Sequence, residues 1–253
     1  MQPIQQPKIV IILPAYNAEK TLAKTLEEIP VEYREHIILT DDASRDNTAA
    51  LARSLGITVY EHETNMGYGA NQKTCYLHAL EMDANIVVMV HPDHQYDAKV
   101  IPDMVAPIIA GEADAVFGSR MLGGKPIEGG MPWWKFNANI LLTAFANLVF
   151  RRYLTEIHSG FRAYSREYLE TVRYEENSDD FIFDTEIIAQ GMACNLFFRE
   201  VPIVTRYFPE ASSINFQRSV KYGLGILWNL FLYWAHHTKL ITVKKFKPKS
   251  TTA

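Results

Sequence analysis

A chain of 253 residues, 48% hydrophobic and 21% charged, can bury one large core and is too apolar for a disordered or fibrous protein. Its net charge of −4 argues against nucleic acid as a partner. Two isolated cysteines, Cys75 and Cys194, make neither a zinc pattern nor a disulfide framework and suit a reducing compartment.

Residues 1–8 are polar, with no charged start before an apolar run, so no secretory leader is expected. Residues 8–13, apolar and β-branched, predict a buried strand. A helix over 19–28, a strand over 36–41 and a helix over 46–55, stopped by Gly56, follow. Strands over 57–62, 86–91 and 113–119 alternate with helices over 70–82 and 98–110. This alternation predicts an α/β fold, with a Rossmann-like and mostly parallel sheet flanked by helices. Residues 122–134, rich in Gly and Pro, read as a loop. Beyond it the pattern changes. Residues 136–150 read as a long apolar helix closed by Arg151 and Arg152, and 183–191 and 220–236 as further helices. Residues 157–164 and 195–204 read as added strands, giving the second half a mixed sheet continuous with the first. A soft boundary falls near residue 120. The apolar stretch 223–235 would span roughly 20 Å as a helix, short of the roughly 30 Å hydrocarbon core.

Ligands of open α/β sheets sit beyond the carboxyl ends of the strands, and the polar residues gather there. The first strand ends in Pro14-Ala15-Tyr16-Asn17-Ala18-Glu19 and the second in Asp41-Asp42-Ala43-Ser44-Arg45-Asp46. The fourth ends in His91-Pro92-Asp93-His94-Gln95 and the fifth in Gly118-Ser119-Arg120. Rings, carboxylates and a guanidinium at four strand ends outline a cleft for a nucleoside diphosphate. No Gly-x-Gly-x-x-Gly follows the first strand, which disfavours a dinucleotide-binding oxidoreductase.

The run from Ile9 to Asn17, followed by Asp41-Asp42-Ala43-Ser44-Arg45-Asp46-Asn47-Thr48, resembles the family 2 glycosyltransferases, whose fold is of the GT-A type. Asn65-Met66-Gly67-Tyr68-Gly69-Ala70, Gly118-Ser119-Arg120 and Ser159-Gly160-Phe161-Arg162-Ala163-Tyr164 resemble their dolichol- and polyprenyl-phosphate sugar synthase branch. The resemblance covers about residues 8–205. It implies one GT-A-type domain over 1–205, with a nucleotide half at about 8–120 and an acceptor half at about 121–205. Residues 206–253 then form a C-terminal helix and basic tail.

The resemblance implies that Pro14, Ala15, Tyr16 and Glu19 line the base and ribose site, with Asp42 facing the base. Tyr16 can stack on a base, and a carboxylate accepts from base N–H or ribose hydroxyls. Asp46 reads as a helix N-cap. A departing diphosphate needs its charge neutralised by a divalent cation, Mn2+ or Mg2+. Family members carry Asp-x-Asp after the fourth strand, where this chain has His91-Pro92-Asp93. Asp93 matches the second acid, which also meets the nucleotide, and Gln95 matches an oxygen ligand of the polyprenyl branch. Imidazole favours manganese over magnesium. Two readings of His91 stand side by side: it ligates the metal, or it only hydrogen-bonds while Asp93 holds the metal through the diphosphate.

Arg120 matches the position that meets phosphate, and a guanidinium suits phosphate oxygens. Arg162 is a second phosphate candidate, or alternatively a surface ion pair. Glu156 and His158, just upstream, carry no assigned role. A lipid phosphate is already anionic near neutral pH, its second ionisation lying at about 6, and needs no general base. A hydroxyl acceptor needs one, for which Asp184 and Glu186 are the candidates; as acids at a helix start they also favour the helix dipole. The resemblance implies an inverting transfer from a UDP- or GDP-sugar, most readily onto a lipid phosphate, in cell envelope glycan biosynthesis. The rivals are a hydroxyl acceptor and a nucleotide-sugar-binding protein without turnover. The apolar helices at 136–150 and 223–235, near Arg151, Arg152 and five lysines from Lys239 to Lys249, suit either an anionic membrane surface or an oligomer contact. A cytoplasmic protein, peripheral on the membrane, is the expectation.

Overall fold

The computed structural model describes residues 6–123, 126–206 and 216–249. Parts of the expected loop at 122–134 and of the C-terminal segment at 206–253 lie outside them.

Seven strands form one sheet: β1 (Ile9–Ala15), β2 (Ile37–Asp41), β3 (Thr58–Glu61), β4 (Ile86–Met89), β5 (Ala115–Ser119), β6 (Arg162–Ser165) and β7 (Phe198–Pro202). Eight α-helices accompany them among the described residues: α1 (Leu22–Glu28), α2 (Thr48–Ser54), α3 (Tyr68–Glu81), α4 (Ile101–Ile109), α5 (Trp133–Phe150), α6 (Arg166–Thr171), α7 (Phe183–Ala193) and α8 (Phe216–His237). The strand order is β3-β2-β1-β4-β6-β5-β7. Every pairing is parallel except those of β6, which runs antiparallel to both β4 and β5. The sheet is therefore continuous across residue 120, and the fold is the expected mixed α/β sheet.

Alternation along the strands divides the core in two. Val10, Ile12, Val87, Met89 and Tyr164 face one apolar layer, covered by α3 and α5 to α8. Ile11, Leu13, Ile86, Val88 and Ala163 face the other, covered by α1, α2 and α4. Strands buried on both faces read as continuous apolar runs, which is why the central ones were legible.

Three boundaries differ from expectation. The strand expected over 157–164 is confined to Arg162–Ser165; ahead of it the Ser159 and Ile157 carbonyls accept from the Arg162 guanidinium, at 2.8 and 3.2 Å, and not from a neighbouring strand. The helix α6, capped by the Ser165 hydroxyl accepting from Tyr168 N, was not expected at all; six residues are too few for a periodic signal. Finally, the lysine tail is bound to the body. Lys244, Lys245 and Lys249 pair with Glu176, Glu186 and Glu175 at 2.8, 2.7 and 2.6 Å. These ion pairs set three of the five lysines against the body, where the sequence left the tail open to a membrane surface or an oligomer contact.

A Cβ at Gly191 would lie 2.3 Å from the Tyr168 hydroxyl, which donates to Ile187 O inside the core. Gly191→Ala is expected to destabilise the fold by about 1–3 kcal/mol, through overpacking. Denaturant unfolding of the two proteins checks this.

Candidate active site

The crevice opens where β1 and β4 part. Their last ladder bond runs from Val90 N to Ile12 O. Alternation then points the Pro14 nitrogen toward the β4 side, where a proline leaves no donor unpaired. Beyond it the β1 and β2 loops are laced together. Asn17 N donates to Ser44 Oγ at 2.8 Å, Ala18 N to Thr48 Oγ1 at 2.8 Å, and Arg45 N to Asn17 Oδ1 at 2.8 Å. The N-cap of α2 is Asn47 and not Asp46 as expected; Asp46, one position earlier, accepts from Thr48 N and Glu19 N and so ties the helix start to the β1 loop. Glu19 in turn accepts from Asn47 Nδ2 at 3.0 Å. The lacing leaves Tyr16 standing out, 48% exposed, with a ring face open to a planar ligand.

Asp42 takes a different part from the one expected of it. Its carboxylate accepts from Met66 N at 2.8 Å and Gly67 N at 3.0 Å, with His62 Nδ1 at 2.7 Å. At 4% side-chain exposure it closes the turn into α3 instead of facing a base. Gly67 there has φ +102°, and a Cβ would lie 2.6 Å from Asp179 O. Glycine is required at this turn on both counts.

At the end of β4 the residues expected to bind metal adjoin a buried ionic chain. Asp93 Oδ1 accepts from Gln95 N at 3.1 Å. Burial raises the Asp93 carboxyl above its ordinary range, with His91 opposing the shift. Burial likewise lowers the His91 imidazole, against the pull of Asp93. His91 Nε2 lies 3.2 Å from the Tyr68 hydroxyl. Tyr68 donates to Asp184 Oδ2 at 2.9 Å. Gln72 Nε2 donates to Asp184 Oδ1 at 3.1 Å, and Arg162 Nη1 lies 3.2 Å from the same oxygen. Arg162 is 1% exposed and also donates to Asp184 O, at 3.1 Å.

One reading of Arg162 is corrected here: it is not a surface ion pair, because the side chain is buried and its donors are spent on buried protein oxygens rather than on a phosphate. Both oxygens of Asp184, a candidate base, accept from buried partners. Glu186, the other candidate, is ion-paired to Lys245 and accepts from Ser178 N at 2.6 Å.

Arg120 stands at the end of β5. Its backbone N and its Nε donate to Glu156 at 2.7 and 2.8 Å, and Nη2 pairs with the same carboxylate. Asn139 of α5 donates to Glu156 Oε1 at 2.6 Å and accepts from Thr143 Oγ1 at 3.1 Å. Burial alone would raise Glu156, but Arg120 and these donors hold it below the usual carboxylate range. The Tyr96 hydroxyl accepts from Gly160 N at 3.1 Å and feels the charges of Arg120, Asp93 and Glu156 together, so the β4 and β5 ends face one space. Sequence reasoning left Tyr68, Gln72, Glu156 and Asn139 without roles. The signal for Asn139 was present: it and Thr143 sit one turn apart in a mostly apolar helix.

Residues 10–173 match the family model described as glycosyl transferase family 2. A relative from Methanococcus voltae, named UDP-N-acetylglucosamine–dolichyl-phosphate N-acetylglucosaminyltransferase, is 28% identical over 79% of this chain and 86% of its own length. The low-salt glycan biosynthesis hexosyltransferase Agl6 of Haloferax volcanii is 30% identical over 83% of this chain and 50% of its own. Among solved structures, glucosyl-3-phosphoglycerate synthase from Mycobacterium tuberculosis, in complex with Mn2+, UDP and glucosyl-3-phosphoglycerate, superposes with a TM-score of 0.68. It is 16% identical, over 91% of this chain and 81% of that one, a likeness of fold.

His158 lies beside this site, with Nδ1 3.2 Å from the Tyr222 hydroxyl and a buried Nε2 that has no partner among the described residues. Burial lowers its imidazole from 6.5 to about 4, against the pull of Glu156. The unfolded chain therefore binds the extra proton first as pH falls. Stability due to neutral His158 is complete above pH 6.5 and is lost on going down toward pH 4, by at most about 1.4 kcal/mol per pH unit. His158→Gln is expected to flatten this part of the stability–pH curve, as measured by urea unfolding at stepped pH.

Proposed function

Because the chain belongs to glycosyl transferase family 2, we propose that it transfers a hexose-type sugar from a UDP- or GDP-sugar, with inversion, onto a polyprenyl phosphate. The observation that carries this reading is the state of Asp184. A hydroxyl acceptor requires a base with a free lone pair. The carboxylate in the right motif is locked among Arg162, Gln72 and Tyr68. A phosphate acceptor arrives already anionic and needs only to be placed. The M. voltae relative, named for a dolichyl-phosphate acceptor, supports the same choice.

Tyr16 stacks on the base, and Pro14, Ala15 and Glu19 wall its site, with Asp42 shaping it through the turn at Gly67. Arg120, aimed by Glu156, faces the phosphates. The residues present suit a divalent cation. Asp93 offers a carboxylate, Gln95 an amide oxygen, and His91 Nδ1 has no protein partner among the described residues. No three His, Cys, Asp or Glu side chains converge into a metal cage among the described residues, so phosphate oxygens of the donor complete the set. When bound, the cation supplies positive charge to the departing diphosphate. Manganese suits an imidazole-containing set better than magnesium.

The acceptor's lipid accounts for an outer face that is otherwise costly. Helix α5 turns Asn139 and Thr143 inward and leaves Leu141 and Leu148 more than 70% exposed. On α8, Trp228, Phe231 and Trp234 form an exposed ridge, with ring centroids 5.5 and 6.1 Å apart. No described helix is long and apolar enough to cross a membrane. These apolar residues, near Arg151 and Arg152, suit peripheral attachment to the cytoplasmic leaflet.

In a thermal-shift screen with manganese, one UDP- or GDP-sugar is expected to raise the melting point, and no response to any of them would overturn the donor assignment. Asp93→Ala is expected to abolish transfer while the fold persists, as checked by radiolabelled sugar transfer and circular dichroism. Replacing Trp228, Phe231 and Trp234 together by Ser is expected to weaken co-sedimentation with anionic vesicles by at least about tenfold, leaving donor binding unchanged.

A further inference from the structure

The hydrogen-bond chain at the end of β4 determines which nitrogen of His91 carries its proton. Asp184 lies 3.2 Å from the buried Arg162 guanidinium, and its Oδ2 accepts the Tyr68 proton at 2.9 Å. A tyrosine hydroxyl has one proton. Once that proton points at Asp184, the Tyr68 oxygen offers His91 Nε2 only a lone pair across 3.2 Å. Nε2 must then be the donor, and a neutral imidazole with a proton on Nε2 has none on Nδ1.

Packing keeps the parts in place. The Tyr68 ring lies between His91 and Phe181, with centroids 5.6 and 4.7 Å away. The Nε2–Cδ2 edge of His91 rests on Gly160, where a Cβ would come within 2.4 Å of Nε2. A ring turned over about its Cβ–Cγ bond would put a carbon opposite the Tyr68 oxygen and lose the hydrogen bond.

We propose that Tyr68 is a positioning residue that holds His91 in its Nε2–H tautomer, leaving Nδ1 as the nitrogen a divalent cation takes. The proposal rests on the reading of His91 and Asp93 as metal ligands, and it decides between the two roles open to His91 in favour of ligation. Histidine ligands commonly have their other nitrogen engaged in this way, and loss of such a partner weakens metal binding about 10- to 100-fold. Here the partner is a tyrosine backed by an ion pair, supplied by the residue between Gly67 and Gly69 at the start of α3.

Long-range proton–nitrogen correlation spectra of the metal-free protein, with His91 assigned by comparison with His91→Gln, test the tautomer directly. The expected result is a protonated Nε2 and a bare Nδ1. A protonated Nδ1, or an imidazolium, overturns the proposal. In Tyr68→Phe the signal is expected to become a mixture of tautomers. Mn2+ binding in the presence of UDP, followed by electron paramagnetic resonance of the free ion, is expected to weaken by 10- to 100-fold. An unchanged tautomer and unchanged affinity in that variant overturn the role of Tyr68. If Tyr68→Phe does not fold, the wild-type spectrum alone decides. Failure of the wild-type protein to bind Mn2+ with any nucleoside diphosphate would overturn the metal site, whereas the tautomer is read without metal.

Discussion

A guanidinium in the core is the constraint on which the rest of this site turns. Arg162 emerges from β6, the antiparallel strand between β4 and β5, and is almost completely withdrawn from water. Its charge requires a partner, and removing the partner of a buried ion costs about 3–5 kcal/mol. Asp184 of α7 supplies it, and the Ser159, Ile157 and Asp184 carbonyls take further donors. The remaining capacity of Asp184 recruits Tyr68 and Gln72 from α3. One charge thus connects a strand and two helices behind the ends of β4 and β5. The local effect is order: the segment leading into β6 bends back on itself, bringing Gly160 against His91 and Tyr96.

The second ionic cluster works differently. Glu156 is as deeply buried as Arg162, yet its partner Arg120 lies at the rim of the sheet. The carboxylate takes the Arg120 backbone and side chain together, so the rotamer of Arg120 is set before any ligand arrives. Such preorganisation lowers the ordering cost of binding an anion. Asn139 ties the same carboxylate to α5. The helix that presents leucines outward is thereby fastened, by its few polar residues, to the arginine expected to meet phosphate.

Much of this architecture was legible in the amino-acid sequence, for reasons that also explain what was not. Residues 10–13 and 86–90 are buried on both faces, so each reads as an uninterrupted apolar run, and the parallel part of the sheet follows. The strand ends were legible because short polar motifs interrupt those runs. Partnership across the fold was not. Arg162 and Asp184 are 22 positions apart, and Tyr68 and Asp184 are 116 apart. A carboxylate facing a substrate and one facing a buried arginine are written with the same letter. Burial separates them, and neither spacing nor periodicity reports it. Asp42 illustrates the same point, since two of its carboxylate's partners are backbone N–H groups that have no letter at all and the third, His62, is 20 positions away.

The engagement of both candidate bases, Asp184 and Glu186, by protein partners is chemically consistent with the surface that surrounds the site. An acceptor that must be deprotonated calls for a carboxylate open to it, and solvent-accessible carboxylates titrate freely. An acceptor that arrives charged calls instead for cationic groups already in place and a dry wall behind them. Here Asp184 and Glu156 are engaged in pinning Arg162 and Arg120, and the exposed faces of α5 and α8 carry leucine, phenylalanine and tryptophan. Both features fit an acceptor with a phosphate head and a hydrocarbon tail. On the reading proposed above, fixed charge at the rim of the sheet places the head, and the exposed apolar residues of α5 and α8 face the tail.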